Sequence, residues 1–308
     1  MTGNYRKLLQ DAVTGEIRFN VPMSDIITYK IGGPAEMFLA TGDEKDIVAA
    51  ARSCIRHKIP LTVIGAGSNV LAPDEGVAGL VLRVYSGQSR PTLKGDIIEA
   101  SAAVSDENLS LFACENGLSG FEFIYDIPGS VGGAVMQNAG TNDGQTKDFL
   151  IEATYIDKNG EVVTKPVDQL RMGYRTCLLK EEWGLILSAL FKAGPKKDST
   201  EIKSRMDEIR KTRRSKFPME LPNCGSVFKR PVGHYAGKLI QDSQLSGFQI
   251  GGAMVSPKHR GFIVNTGGAT AKDVKDLVAH VQATVKEKFG VDLERELIFL
   301  DRKPKALA

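Results

Sequence analysis

The chain has 308 residues, of which 42% are apolar and 25% are charged, as in an ordinary globular protein. Its 40 basic and 37 acidic residues nearly cancel to a net charge of +3, so neither a nucleic-acid nor a membrane partner is expected. No apolar run approaches the ~20 residues that span a bilayer, and the first residues lack the apolar core of a signal peptide.

Cysteine and histidine usage bounds the chemistry further. The four cysteines, at positions 54, 114, 177 and 224, form no C-x-x-C pair, which favours a reduced, cytoplasmic protein. The four histidines are scattered along the chain, so we expect no metal site.

The first 85 residues predict a small α/β lobe. Residues 1–24 are expected to form a helix and a linker, and residues 28–40 a turn and a strand. Residues 44–58 have helical spacing, with Ile47, Ala51 and Cys54 on one stripe. Short apolar runs at 61–64 and 79–84 predict strands on either side of a Gly-rich turn.

This turn, Ile64-Gly65-Ala66-Gly67-Ser68-Asn69, is the first candidate ligand site. Consecutive backbone N–H groups in such a turn can form a nest for an anion, usually a phosphate. An ordinary connecting turn fits the stretch equally well. It is neither a Walker A loop, since no Gly-Lys-Ser/Thr follows, nor a Rossmann G-x-G-x-x-G turn.

Residues 86–195 predict a second lobe with a mainly antiparallel sheet. A strand is expected at 97–104, and a helix at 105–116 that Ser105 caps and Gly117 terminates. Asn159-Gly160 lies between two alternating runs and predicts a hairpin. A further strand is expected at 185–191.

A second Gly-rich stretch lies within this lobe, at Pro128-Gly129-Ser130-Val131-Gly132-Gly133-Ala134. Pro128 suits a helix start, and the small residues after it leave the first turn bare. Free N–H groups and the dipole of such a helix favour a diphosphate. Two such sites on one chain suit an extended ligand with a pyrophosphate in the middle.

The remainder predicts a third domain after a polar, proline-containing linker at 194–199. Helices are expected at 200–214, 236–243 and 271–288, the last of them strongly amphipathic and closed by Gly290. Strands are expected at 226–229, 253–256, 261–265 and 297–300.

The two Gly-rich stretches, preceded by Thr28-Tyr29-Lys30-Ile31-Gly32-Gly33-Pro34-Ala35, resemble the UDP-N-acetylenolpyruvoylglucosamine reductase family, in its form without an extra substrate-closing insertion. The resemblance covers about residues 25–300. It implies an α+β fold of the vanillyl-alcohol-oxidase type, with a two-lobed FAD-binding domain, residues 1–85 and 86–195, and a substrate-binding domain, residues 200–308.

The resemblance also implies a cofactor and a reaction. FAD would be bound non-covalently by Ile64–Asn69 and by Pro128, Gly129, Ser130, Gly132, Gly133 and Ala134. NADPH would reduce the flavin and leave. UDP-N-acetylglucosamine enolpyruvate would then enter the same cleft and be reduced to UDP-N-acetylmuramate for peptidoglycan synthesis. We expect a monomer that binds only small molecules.

Ser226 lies in Asn223-Cys224-Gly225-Ser226-Val227-Phe228-Lys229-Arg230-Pro231. By spacing alone it is most simply a turn serine that satisfies the backbone. The segment is similar to the family's Gly-Ser-Val-Phe-Lys-Asn-Pro motif, which implies that Ser226 donates a proton and that Gly225 and Lys229 contact substrate. Arg230 departs from that motif's asparagine.

Tyr174 and Arg175 lie in Met172-Gly173-Tyr174-Arg175-Thr176-Cys177. Such a pair is usually found at the surface, although a guanidinium can hold a carboxylate bidentately. The family has an aromatic, any residue, Tyr-Arg, any residue and Ser, so Met172 and Cys177 depart from it. The resemblance assigns Arg175 to the substrate carboxylate and the developing enolate, and Tyr174 to substrate binding.

Glu294 and Glu296 would lie on one face of a strand, and spacing does not choose between them. Charged residues entering a strand are usually solvated. The family's Leu-Glu-x-Glu-Val motif implies that Glu296 is the catalytic glutamate.

The segment at 210–216 holds five cations in seven residues at a helix end. A solvated helix terminus explains it, and a nucleic-acid patch would need a longer basic stripe. The resemblance favours a clamp for the substrate diphosphate, with Arg214 and Lys216. An alternative for the whole chain is another FAD-dependent oxidase or dehydrogenase of the same superfamily, and a non-catalytic nucleotide-binding protein is a third hypothesis.

Overall fold

A computed structural model describes residues 2–301 of the chain, with side chains from residue 5 onward. The helices are α1 Thr2–Gln10, α2 Met23–Ile26, α3 Glu44–His57, α4 Asp106–Glu115, α5 Val131–Gln137, α6 Leu179–Glu182, α7 Ser199–Lys216, α8 Ala236–Asp242 and α9 Ala271–Phe289. The strands are β1 Arg18–Pro22, β2 Pro34–Thr41, β3 Leu61–Ile64, β4 Val70–Leu71, β5 Val77–Val84, β6 Thr92–Lys94, β7 Ile97–Ser101, β8 Gly140–Thr141, β9 Gly144–Gln145, β10 Leu150–Asp157, β11 Val162–Pro166, β12 Gly184–Lys192, β13 Asn223–Ser226, β14 Gln249–Ile250, β15 Ala253–Val255, β16 Phe262–Asn265 and β17 Ile298–Phe299.

The first sheet has the strand order β1-β2-β5-β3, with β2, β5 and β3 mutually parallel and β1 antiparallel at the edge. Its parallel strands are linked through α3, whose N-terminus is capped by Asp43 accepting from the Lys45 N–H. Lys58 ends the helix in the left-handed conformation. The sheet therefore delivers β3 directly into the first Gly-rich turn.

The second sheet is antiparallel throughout, in the order β11-β10-β12-β7-β6, as the hairpin signal at Asn159-Gly160 predicts. Beside it, α4 begins at Ser105, whose hydroxyl accepts from the Asn108 N–H at 3.0 Å. Gly117 follows this helix with a positive φ of 66°. The α+β fold class is thus confirmed, while the domain boundaries at 85, 195 and 200 stay a prediction.

Alternating side chains of β2 pack into two different hydrophobic cores. Met37 and Leu39 face the core formed with α3 and the second sheet. Phe38 faces the core that contains the buried stripe of α9, including Val274 and Leu277. Since successive residues of a strand point to opposite faces, the first sheet lies sandwiched between its neighbours.

The third sheet, in the order β13-β16-β15-β14, is antiparallel and packs with α8 and α9. Hydrogen bonds between residues far apart in the sequence connect this sheet to the first lobe. The Tyr29 hydroxyl donates to the Ile263 carbonyl at 2.9 Å, and the Asn265 amide donates to the Tyr29 carbonyl at 3.1 Å. At the other end, β17 pairs in parallel with β4, directly after the first Gly-rich turn.

Three local predictions were wrong. Part of the linker expected within residues 1–24 is the edge strand β1, which pairs with β2. The strand expected at 226–229 lies three residues earlier, as β13, and Phe228 contributes only an isolated bridge to Arg295. The strand expected at 97–104 stops at Ser101. Within the described residues, no helix is both long and apolar enough to cross a membrane.

Candidate active site

A central cleft of about 880 Å³ lies where the two Gly-rich turns, the end of β13 and the segment before β17 converge. Every residue predicted to bind the cofactor lines it, from Ile64 to Asn69 and from Pro128 to Ala134 apart from Val131. Arg175, Ser226 and Glu296 line the same cleft. Arg175, Ser226 and Glu296, which are far apart in the sequence, thus line one cleft.

The first turn presents bare backbone to the cleft. A Cβ added at Gly65 would lie 2.2 Å from Ser130 Oγ, and Gly67 has a φ of +75°. Among residues 2–301, the N–H groups of Ala66, Gly67 and Ser68 have no hydrogen-bond partner. Free, consecutive amides of this kind fit an anion, as the sequence predicts.

The second turn differs from its prediction. The amides in the first turn of α5 are not free: Val131 N–H donates to the Val104 carbonyl, Gly132 N–H to the Ala102 carbonyl and Gly133 N–H to Ser130 Oγ. In this second turn, the amides that find no hydrogen-bond partner among residues 2–301 are those of Gly129 and Ser130, just before the helix. The donors at this turn therefore come from the loop and not from the helix end.

The Arg175 guanidinium is held by acceptors from two directions. Its Nε donates to Glu296 Oε1 at 2.6 Å, and its Nη2 donates to the Gly140 carbonyl at 3.0 Å. The two side chains of the ion pair are only 20% and 16% exposed. Burial raises the pKa of Glu296, whereas Arg175, Lys180 and Lys229 lower it. Neither Arg175 nor Glu296 is therefore the solvated residue that its sequence context alone suggests.

The structure separates the two glutamates that spacing left equivalent. Residues 293–297 form no regular strand, so Glu294 and Glu296 do not share a strand face. Glu294 is exposed and pairs with Lys229, whereas Glu296 turns into the cleft. Lys229 itself does not line the cleft.

Ser226 ends β13, where Gly225 has a φ of +73° that a side chain would strain. Both residues line the cleft, and within residues 2–301 the Ser226 hydroxyl has no hydrogen-bond partner. Its neighbour Cys224 is 3% exposed, and burial raises the pKa of that thiol to about 11. The hydroxyl is thus available to a ligand, whereas burial disfavours the thiolate form of Cys224.

The basic end of α7 is organised around Asp126. Arg210 and Arg214 approach its Oδ1 at 3.3 and 3.1 Å, and Arg213 approaches its Oδ2 at 3.9 Å. Arg213 lines the cleft, although sequence reasoning did not single it out. The predicted residues Arg214 and Lys216 are exposed and lie outside the cleft lining.

Tyr174 also lies outside the lining and is 53% exposed. Its hydroxyl accepts from the Arg230 N–H at 3.2 Å, and its ring lies 5.0 Å from the Arg175 guanidinium carbon. The Arg230 guanidinium stacks over Tyr235. These contacts connect the exposed Tyr174 ring to Arg175 and to the Arg230 backbone.

Besides Arg213, sequence reasoning missed Lys180, Trp183 and Asp106, which also line the cleft. Lys180 donates to the Arg175 carbonyl at 2.8 Å and to Gln137 Oε1 at 2.6 Å. Trp183, the single tryptophan, adopts a φ of +58°. Asp106 is 2% exposed. No local pattern marked Lys180, which lies in the four-residue helix α6 while Arg175 lies in the turn before it. A first-turn acid such as Asp106 is usually explained by the helix dipole.

Within residues 2–301, no three histidine, cysteine, aspartate or glutamate side chains group in a way that could hold a metal ion.

Comparison with known proteins gives two domain families. Residues 217–300 match the C-terminal domain of UDP-N-acetylenolpyruvoylglucosamine reductase, and residues 35–165 match an FAD binding domain. The chain is 40% identical over 299 residues to the UDP-N-acetylenolpyruvoylglucosamine reductase of Clostridium perfringens strain SM101, covering 97% of this chain and 98% of that protein.

Two further relatives agree. The UDP-N-acetylenolpyruvoylglucosamine reductase of Staphylococcus aureus strain COL is 38% identical over 301 residues, covering 98% of this chain and 97% of that protein. The crystal structure of the Thermus caldophilus enzyme superimposes with a TM-score of 0.78 at 32% identity, covering 93% of this chain and 99% of that chain.

Proposed function

The chain belongs to the UDP-N-acetylenolpyruvoylglucosamine reductase family, and we propose that its central cleft reduces UDP-N-acetylglucosamine enolpyruvate to UDP-N-acetylmuramate with FAD and NADPH. The observation that carries the proposal is the convergence of Arg175, Glu296 and Ser226 on the cleft that both Gly-rich turns line. A site that only binds an anion would not require the buried ion pair between Arg175 and Glu296.

The turns fit a flavin dinucleotide. Unpartnered amides at Ala66, Gly67 and Ser68, and at Gly129 and Ser130, supply donors for a diphosphate. Side chains at Gly65 and Gly129 would meet Ser130 Oγ at 2.2 Å and Asp106 Oδ2 at 1.9 Å, so glycine keeps this space open. Bound FAD, reduced by NADPH, supplies the hydride for the enolpyruvyl methylene.

We assign Arg175 to the charge that develops during the reduction. Hydride addition at the methylene carbon leaves negative charge that spreads into the substrate carboxylate. A fixed guanidinium stabilises this charge without having to reorganise, typically by several kcal/mol. Its Nε is already committed to Glu296 and its Nη2 to Gly140, so the guanidinium is oriented before substrate arrives.

Ser226 is our candidate for the proton donor to the carbon that bears the carboxylate. Its hydroxyl faces the cleft without a protein partner among residues 2–301, which leaves its proton free for transfer. A serine is a weak acid and protonates only a strongly basic intermediate. Arg175 must therefore stabilise the enolate without quenching its basicity.

The other residues predicted to bind substrate differ in whether they line the cleft. Gly225 lines the cleft, whereas Tyr174, Arg214, Lys216 and Lys229 are not among its lining residues. We propose that these four residues contact the sugar nucleotide outside the reacting centre, with Arg214 and Lys216 toward its diphosphate. A cytoplasmic monomer, and the division into domains at 85, 195 and 200, are part of the same proposal.

An anaerobic absorbance trace of the purified protein tests the function. NADPH should bleach the flavin band, and UDP-N-acetylglucosamine enolpyruvate should then restore it. Bleaching without recovery would indicate another flavin enzyme of the superfamily with a different substrate. A colourless protein that FAD does not reconstitute would refute the cofactor assignment.

A further inference from the structure

Asp106 is a buried carboxyl that the proposed reaction does not use. It is the first residue of α4, 2% exposed, and it lines the central cleft. Its Oδ1 is buried without a hydrogen-bond partner among residues 2–301. The helix does not need it as a cap, because Ser105 Oγ already accepts from the Asn108 N–H. Neither the helix cap nor any hydrogen bond to Oδ1 among these residues therefore accounts for a buried carboxyl at this position.

The carboxyl lies against the second Gly-rich turn. Asp106 N–H donates to the Gly129 carbonyl at 3.2 Å, and a Cβ added at Gly129 would lie 1.9 Å from Asp106 Oδ2. The unpartnered amides of Gly129 and Ser130 belong to the same turn. Two amide donors and one carboxyl thus face the same part of the cleft.

Nothing around α4 balances an ionised Asp106. Besides Arg90, Glu107, Glu115, Glu122 and Asp126, the charged groups on the packed elements include those of α7, namely Lys203, Asp207, Arg210, Lys211 and Arg213. Among residues 2–301, none of them forms an ion pair with Asp106: Arg210 pairs with Glu107 and Asp126, Arg213 with Asp126, Lys203 with Asp207 and Arg90 with Glu115. Neither α5 nor the first Gly-rich turn carries a charge.

An unpaired buried carboxylate is costly, so the carboxyl tends to keep its proton. Burial raises the pKa of Asp106 to about 7. A protonated carboxyl has an O–H donor, whereas the ionised form only accepts hydrogen bonds. Beside two amide donors, the protonated form completes a site for an anion.

We propose that Asp106 holds the flavin cofactor as a neutral carboxylic acid, donating its O–H to a phosphate oxygen bound at the Gly129–Ser130 turn. The inference rests on the FAD assignment made above. The interaction is a hydrogen bond, and the proton stays on Asp106. If Asp106 is ionised in the free protein, it takes up a proton from solvent when FAD binds. Ionised Asp106 would instead set a negative charge beside the phosphate.

The proposal fixes the sign of a pH dependence. Cofactor binding raises the pKa of the carboxyl further, so affinity is full below about pH 7. Above that it falls by about tenfold per pH unit, until the carboxyl also ionises in the complex. The loss should be absent in Asp106→Asn, because an amide is neutral at every pH and still donates a hydrogen bond.

The test uses the full-length flavoprotein. The holoenzyme is diluted at pH values from 6 to 9, and released FAD is followed by its fluorescence and by recovery of emission from Trp183, which lines the cleft. The matched variants are Asp106→Asn and Asp106→Ala. We expect the affinity for FAD to fall with rising pH only in the wild-type protein, and to be weaker but independent of pH in Asp106→Ala.

Titration calorimetry in buffers of different ionisation enthalpy gives a second test. It should show proton uptake on FAD binding only in the wild type.

Several outcomes would overturn the proposal. A flat wild-type profile refutes it without any variant, and so does an equal slope in Asp106→Asn. An Asp106→Asn variant that binds at least tenfold more weakly at every pH would show that Asp106 acts as an ionised acceptor. If the wild-type protein binds no FAD even at pH 6, the cofactor assignment fails first. Thermal unfolding at each pH checks that the protein stays folded.

Discussion

Replacing Arg175 by methionine tests the proposed catalytic role most directly. Methionine retains the apolar stem of the side chain, but it loses the donors to Glu296 Oε1 at 2.6 Å and to the Gly140 carbonyl at 3.0 Å. Removing one fixed electrostatic donor from a developing anion typically costs 10²–10³-fold in rate, or about 2.7–4 kcal/mol. We expect a loss of this size in the step that consumes substrate.

The same substitution has a pH-dependent effect on stability. Burial raises the pKa of Glu296, and Arg175 counters it, so removing Arg175 raises that pKa further. A carboxyl with a raised pKa in the folded state contributes stability below its unfolded pKa and loses it as pH rises through the folded one. The variant should therefore lose about 1–3 kcal/mol of unfolding free energy at pH 8 and little at pH 5.

Rapid-mixing absorbance separates the two half-reactions. Flavin reduction by NADPH should stay within a few-fold of wild type, while reoxidation by substrate should slow by at least 100-fold. Arg171→Met is the matched control, since Arg171 also has a positive φ and a carboxylate partner but is 62% exposed. Equal slowing of both half-reactions, or none, would refute the assigned role of Arg175.

Three more changes probe the cleft. Ser226→Ala should keep NADPH-driven bleaching and lose substrate-dependent recovery, and unchanged turnover would remove the serine from the mechanism. Gly65→Ala should weaken FAD binding at least tenfold, because its Cβ would lie 2.2 Å from Ser130 Oγ, whereas Gly87→Ala, with open space around it, should bind normally; equal affinities would contradict the cradle. Lys180→Met should lower kcat about tenfold by releasing the carbonyl that it holds at 2.8 Å, with KM for NADPH unchanged, and a selective rise in that KM would contradict a positioning role.

The sequence predicted what depends on local pattern. The amphipathic helix α9 begins at a Thr270–Asp273 capping box and ends at Gly290, so its boundaries follow from side chains that are close in sequence. The hairpin at Asn159-Gly160 and the stripe of α3 follow in the same way. The edge strand β1 was missed although Arg18-Phe19-Asn20-Val21 alternates, because the strand has only five residues, ends at Pro22 and fully buries none of its side chains.

Parts of the site depended on tertiary contacts that no local pattern encodes. The first two amides of α5 donate hydrogen bonds to the carbonyls of residues 104 and 102, which lie about thirty positions earlier. Glu294 and Glu296 differ only in which partner reaches them across the fold. Likewise, Arg213 and Arg214 differ by one position on α7, and helix rotation alone turns the first toward the cleft.

The pairing of β17 with β4 links the cofactor turn to the far end of the chain. Ile298 N–H donates to the Asn69 carbonyl, and the Asn69 side chain donates to the Glu296 carbonyl, across 227 positions. Closing a loop of this length costs conformational entropy, so we expect this contact to form late in folding. On the ribosome the N-terminal lobes emerge first. The wall of the cleft that bears Glu296 is therefore completed only when synthesis has passed residue 299, and an earlier pause or truncation leaves the first Gly-rich turn without its closing strand.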